Sequence, residues 1–140
     1  MKENSLYDKK SLREITGKNA DWNEVAKDCV AFSNAQGGVI DYGIEDDADA
    51  PPADQKVSED IAINLENKIS GKTLNVSAHA EILTHENGGQ YIRLHIARGT
   101  SSASTTSGKY FTRVSDNSVP LTGDDITRLS AEKRLLSLGR

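Results

Sequence analysis

The chain has 140 residues, 36% hydrophobic and 27% charged, with a net charge of -4. This is one domain's worth of ordinary soluble composition, and no apolar run approaches the roughly 20 residues needed to span a bilayer. The single cysteine, Cys29, excludes an internal disulfide framework, and MKENSLYDKK contains no apolar block of signal-peptide type. A cytoplasmic protein without a membrane partner is expected.

Near the N-terminus SLREI reads as a short edge strand carrying Glu14. Asp21 followed by Glu24 resembles a capping box, and Trp22, Val25, Ala26, Cys29 and Val30 recur at helical spacing, which predicts a helix over 22–35. Cys29 sits on the apolar stripe and reads as a buried hydrophobe rather than a nucleophile. The helix runs into AFSNAQGG, with Gly37 and Gly38 as a helix stop, and then into VIDYGI, a largely buried strand. EDDADAPPADQ follows as an acidic, proline-bearing exposed loop. A second helix is expected over 58–70, with Ser58 as N-cap and Gly71 as its stop.

Two strands come next. Matching their apolar faces through a three-residue loop, Glu86 to Gly88, pairs Ile82 with Ile92, Ala80 with Leu94 and Ala78 with Ile96. The opposite face then pairs Glu81 with Arg93 and His79 with His95. TSSASTTSG, 100–108, reads as a mobile polar segment without packing information. KYFTRV makes a further strand, and Thr122 with Asp125 supplies a capping box for a last helix containing Ile126, Leu129 and Leu136. The order β-α-β-α-β-β-β-α predicts a single α+β domain over 1–140, with a mixed, mostly antiparallel sheet and about three helices.

Glycine-rich stretches invite a nucleotide reading, and chain polarity rejects it. A phosphate loop needs a strand leading into a helix, so that free N–H groups meet the anion, whereas AFSNAQGG presents a helix C-terminus. SGKT, 70–73, fails likewise: Glu66 stands where the motif needs its first glycine. The carboxylates Glu45, Asp46 and Asp47, joined by Glu14, could bind a divalent cation, although a solvated acidic loop is the ordinary explanation. His79 and His95, opposite each other, are weak metal candidates in the same sense.

Charge is unevenly spread. Residues 41–60 hold eight acidic side chains against Lys56, whereas from 91 onward eight basic residues, Arg140 included, face four acidic ones. Arg93, Arg98, Lys109 and Arg113 therefore stand out as candidate contacts for a nucleic-acid backbone, with Tyr91, Tyr110 or Phe111 available to stack on an unpaired base.

Glu14 in an N-terminal strand, the helix ending in AFSNAQGG, VIDYGIEDD, the helix around INLENKIS, the paired strands and GKYFTRVSDNSVPLT together resemble the Schlafen-type Alba-like domain, over about residues 8–130. That family was formerly labelled a divergent AAA domain and stands at the N-terminus of many bacterial proteins assigned as transcriptional regulators. The resemblance implies nucleic-acid binding, DNA or RNA, within a chain of which this could be the N-terminal piece, a C-terminal domain or a second copy being further partners. Some Schlafen proteins are metal-dependent endoribonucleases that use three acidic residues. Two of those positions resemble Glu14 and Glu45 or Asp46; the third, five residues before Glu14, is Lys9. The acidic set is thus incomplete. Binding without cofactor ranks ahead of a Mg- or Mn-dependent nuclease, and an interaction or dimerisation domain is a third possibility. The family's Glu-Phe-Lys strand departs too, reading Glu14, Ile15, Thr16, with the nearest lysine at Lys18.

Overall fold

The computed structural model describes residues 3–138; Arg140 of the basic count lies outside them. The chain forms an α+β domain built on a four-stranded sheet of order β1-β2-β5-β4. Its strands are β1 (Tyr7–Lys10), β2 (Gly38–Tyr42), β4 (Ala78–Thr84) and β5 (Gln90–Ile96). β1 runs parallel to β2, and the other pairings are antiparallel. Two helices, α1 (Trp22–Asn34) and α2 (Glu59–Lys72), cover one face. Cys29 and Phe32 of α1 and Leu65 and Ile69 of α2 meet Ile40, Ile92 and Leu94 of the sheet. Burial pushes the Cys29 thiol far up, so it stays protonated.

The β4–β5 register is the expected one, from Ala78 opposite Ile96 to Ile82 opposite Ile92, with Gly88 in the left-handed region at the turn. α1 begins as expected, with the Asp21 carboxylate accepting from the Glu24 N–H at 3.1 Å. The capping pair of α3 (Gly123–Leu138) also forms: Asp125 Oδ2 accepts from the Thr122 hydroxyl at 2.8 Å and its N–H at 3.2 Å.

Four expectations are corrected. SLREI is not a strand: Leu12–Ile15 is a 3-10 turn capped by Ser11, and the edge strand is β1, upstream. Gly71 does not stop α2, which continues through Lys72. The Ser/Thr segment is packed: Ala103 is fully buried, and β6 (Ser104–Thr105) pairs with β3 (Thr73–Leu74). KYFTRV supplies β7 (Phe111–Val114), but it folds back through Ser115, at φ +55°, onto an unanticipated β8 (Asn117–Pro120).

α3 is held in an unusual way. Ile126 and Leu129 are only half-buried and Leu136 is exposed, while Lys133 is buried. The Lys133 ammonium donates to the carbonyls of Ser33 at 3.2 Å and Gly99 at 2.7 Å, placing a cation at the negative end of α1.

Candidate nucleic-acid interface

The AFSNAQGG corner sets the geometry around it. The Gly37 N–H returns to the Phe32 carbonyl at 2.8 Å and closes the helix. Gly37, at φ +73°, lies so close to the 96–98 backbone that a Cβ would stand 2.7 Å from the Arg98 nitrogen. At Gly38 a Cβ would meet the Leu6 carbonyl at 2.5 Å and the Phe32 ring at 2.7 Å. Both glycines therefore act as the predicted stop and also as the space into which β1 and β5 fit.

Asn34, four residues upstream, was not singled out in the sequence. Its carboxamide donates to the carbonyls of Ala103 and Phe111, both at 2.9 Å, and accepts the Ala103 N–H at 2.7 Å. One buried side chain thus pins the 103–111 segment to the end of α1 and shapes the surface formed there. The missed signal was an uncharged polar residue at the end of a buried helix face, where an amide can satisfy several main-chain groups at once.

The four basic candidates separate. The Arg113 guanidinium is buried, bonded to Asp8 Oδ2 at 3.1 Å and Ser118 Oγ at 3.3 Å, and stacked 4.6 Å from the Phe32 ring centroid. It is a structural cation that joins the β7–β8 hairpin to β1, and a phosphate cannot reach it. Arg93 stands opposite Glu81 in the strand register, as expected, but its guanidinium forms a two-pronged bond to the buried Asp41, at 2.9 and 3.0 Å. Tyr7 donates to the same carboxylate at 2.8 Å. Arg98 and Lys109 remain exposed without acidic partners among the described residues.

Lys109 does not stand alone. It lines a groove of about 490 Å³ with Lys27 of α1, Lys72 at the end of α2, Phe111 and the side chains of Thr105, Thr106 and Ser107. The Lys27 ammonium lies 5.9 Å from the Phe111 centroid and 3.6 Å from Glu24. Asp21 and Glu24 form the acidic rim. The groove therefore offers three cations, from α1, from α2 and from the loop before β7, with several hydroxyls and an aromatic ring. Arg98 lies on a second groove, of about 510 Å³, with Gln36, Thr112, Arg128 and α3 residues. Tyr110 does not line either groove, and Tyr91 lies against Arg93 on the sheet's outer face.

Glu14, Glu45 and Asp46 do converge, with Asp47, on a recess of about 320 Å³, and burial raises the Glu14 pKa. Lys10 and Arg13 share that recess, and Arg13 reaches Glu45 at 3.3 Å. Lys9, where the resemblance asks for a third carboxylate, is buried and donates to the Ala48 carbonyl at 2.6 Å, away from the recess. Among the described residues no three histidine, cysteine or acidic side chains are arranged to hold a metal ion. His79 and His95 do face each other, 6.5 Å between ring centroids, but each lies against a glutamate: His79 is 3.1 Å from Glu66, and His95 is hydrogen-bonded to Glu81 at 3.0 Å. No described helix is long and apolar enough to cross a membrane.

Among solved structures, the chain is similar to the DIP2311 protein from Corynebacterium diphtheriae, with a TM-score of 0.58 and 16% identity. That match covers 84% of this chain and 25% of the other, so this chain spans about a quarter of that relative's length. The likeness is one of fold. No curated protein matches. The family model described as Schlafen, AlbA_2 matches residues 3–122, from β1 through the β7–β8 hairpin. With the helix-glycine corner, the parallel edge strand and the hairpin all inside that span, the chain belongs to the Schlafen AlbA_2 family.

Proposed function

We propose that this domain binds nucleic acid through the groove formed by Lys27, Lys72 and Lys109, with Arg98 as a flanking contact. The observation that carries the proposal is the convergence of three lysines and the Phe111 ring on one concave surface of a protein whose net charge is negative. Membership of a family commonly related to nucleic acid supports it. Ammonium groups and hydroxyls suit phosphate oxygens, and an aromatic ring suits an unstacked base. In a longer protein such a domain would serve as the DNA-binding module of a cytoplasmic transcriptional regulator.

The test is binding of duplex DNA, single strands and transfer RNA to the whole chain across a salt series. Reversing Lys72 and Lys109 to glutamate should weaken binding at low salt and lower the salt slope by roughly two units on duplex DNA, about 0.9 per lost contact. Unchanged affinity and slope would remove the groove from consideration. Arg113 is unsuitable for this test, because its reversal would bury an unpaired carboxylate beside Asp8. Added Mg or Mn addresses the nuclease alternative: cleavage lost in Glu14→Gln would support it, whereas binding without cleavage would leave recognition alone.

A further inference from the structure

β4 is an outer strand of the sheet, seven residues long and paired one-to-one with β5 without a bulge. The Ala80 N–H points away from β5, because it donates to Glu66 Oε2 at 2.7 Å. Strand alternation then turns the N–H and C=O groups of Ala78, Ile82 and Thr84 outward too. Edges of this length are usually blunted by proline, lysine or a bulge, and AHAEILT has none of these. The blunting comes from one carboxylate borrowed from α2.

Beside this edge runs a groove of about 380 Å³. Ala62, Ile63, Ala80 and Ile82 give it an apolar floor, while Glu59, Glu66 and His79 form its rim. Ile63 is 55% exposed there. A second copy of the chain is a poor occupant. An antiparallel β4–β4 pairing centred on Glu81 sets that carboxylate opposite its own copy, and like charges directly opposite destabilise a strand pair; on the helix-covered face it adds the Glu59 and Glu66 rims of both copies.

We infer that the β4 edge and its groove dock an extended basic segment of another protein, added as a fifth strand. A main-chain carbonyl of the incoming strand replaces Glu66 at the Ala80 N–H, and the released carboxylate pairs with a lysine or arginine of the newcomer. No buried donor is left unpaired by the exchange. Main-chain bonds supply the affinity, and the Glu59–Glu66 rim supplies selection for positive charge.

The probe is a seven-residue peptide alternating valine and lysine, titrated into the isotope-labelled whole chain while its amide NMR shifts are followed. Shifts should concentrate at Ala78, Ala80, Ile82, Thr84 and Ile63. A valine–glutamate peptide should bind at least about tenfold more weakly, and a lysine peptide with a central proline should not pair. Glu59→Lys, an exposed change that leaves the core intact, should weaken the lysine peptide, and Ile82→Pro should abolish its binding while β5 stays paired. The inference fails if these amides stay unmoved at millimolar peptide, or if both charge types bind equally. It also fails if the chain alone doubles its mass with concentration through β4.

Discussion

Replacing Asn34 with alanine tests how the candidate interface is held together. The substitution deletes three hydrogen bonds and strands the Ala103 N–H and the carbonyls of Ala103 and Phe111. Each buried polar group left without a partner costs about 1–3 kcal/mol. Allowing for some water entry around Phe111, which is half-buried, we expect a loss of about 4 kcal/mol from a total stability on the order of 10 kcal/mol. With a urea m-value of about 2 kcal/mol/M, the unfolding midpoint should fall by about 2 M at unchanged slope. Asn34→Asp should be at least as harmful, since a carboxylate then faces two carbonyl oxygens without a proton to offer them. Urea melts of both variants, beside an exposed Ser107→Ala control, make the comparison. A midpoint shift under about 0.5 M for Asn34→Ala, or an aspartate variant as stable as the parent, would refute the clamp.

Gly38→Ala should cost roughly 3 kcal/mol or more, because the new methyl collides with the Leu6 carbonyl and the Phe32 ring at φ +153°; calorimetry reads the loss. Gly71→Ala should act oppositely, stabilising by about 0.5–1 kcal/mol, since Gly71 is helical with open space around it. The hydrogen bond shared with Asp8, together with partial burial, raises the Glu3 carboxyl to about 7. A carboxyl with a raised folded pKa binds its proton more tightly when folded. Its contribution therefore falls as pH rises from its unfolded value of 4.5 through about 7. Thermal midpoints should drop across that window, and Glu3→Gln should flatten the drop.

Periodicity decided what was legible in the sequence. The β4–β5 register followed from two apolar alternations that could meet in only one phase, and α1 followed from a 3.6-residue stripe with a cap. β1 escaped because Tyr-Asp-Lys-Lys has no apolar face of its own; the buried Asp8 is compensated by Arg113, 105 residues away, and by Lys10 beside it. Leu12 and Ile15, three apart, would fall on opposite faces of a strand but share one side of the 3-10 turn they form. The basic set divides in the structure for a related reason. Charge is visible in a sequence but pairing is not, so Arg93 and Arg113 looked as available as Lys109 until Asp41 and Asp8 were seen beside them. Lys27 and Lys72 come from separate helices, and only the packing of the 103–111 segment brings them to Lys109.

Lys133 turns the attachment of α3 into something that can be timed. A buried amine bonded to two carbonyls is out of reach of an acylating reagent while the helix is seated, so modification proceeds only through the detached state. Its labelling rate relative to the exposed Lys18 and Lys56 would report the detached population directly, without any probe being introduced. An acyl group once added would also remove the positive charge and hold the helix off. The same lysine would thus act as both a clock and a latch for the segment that follows the family domain.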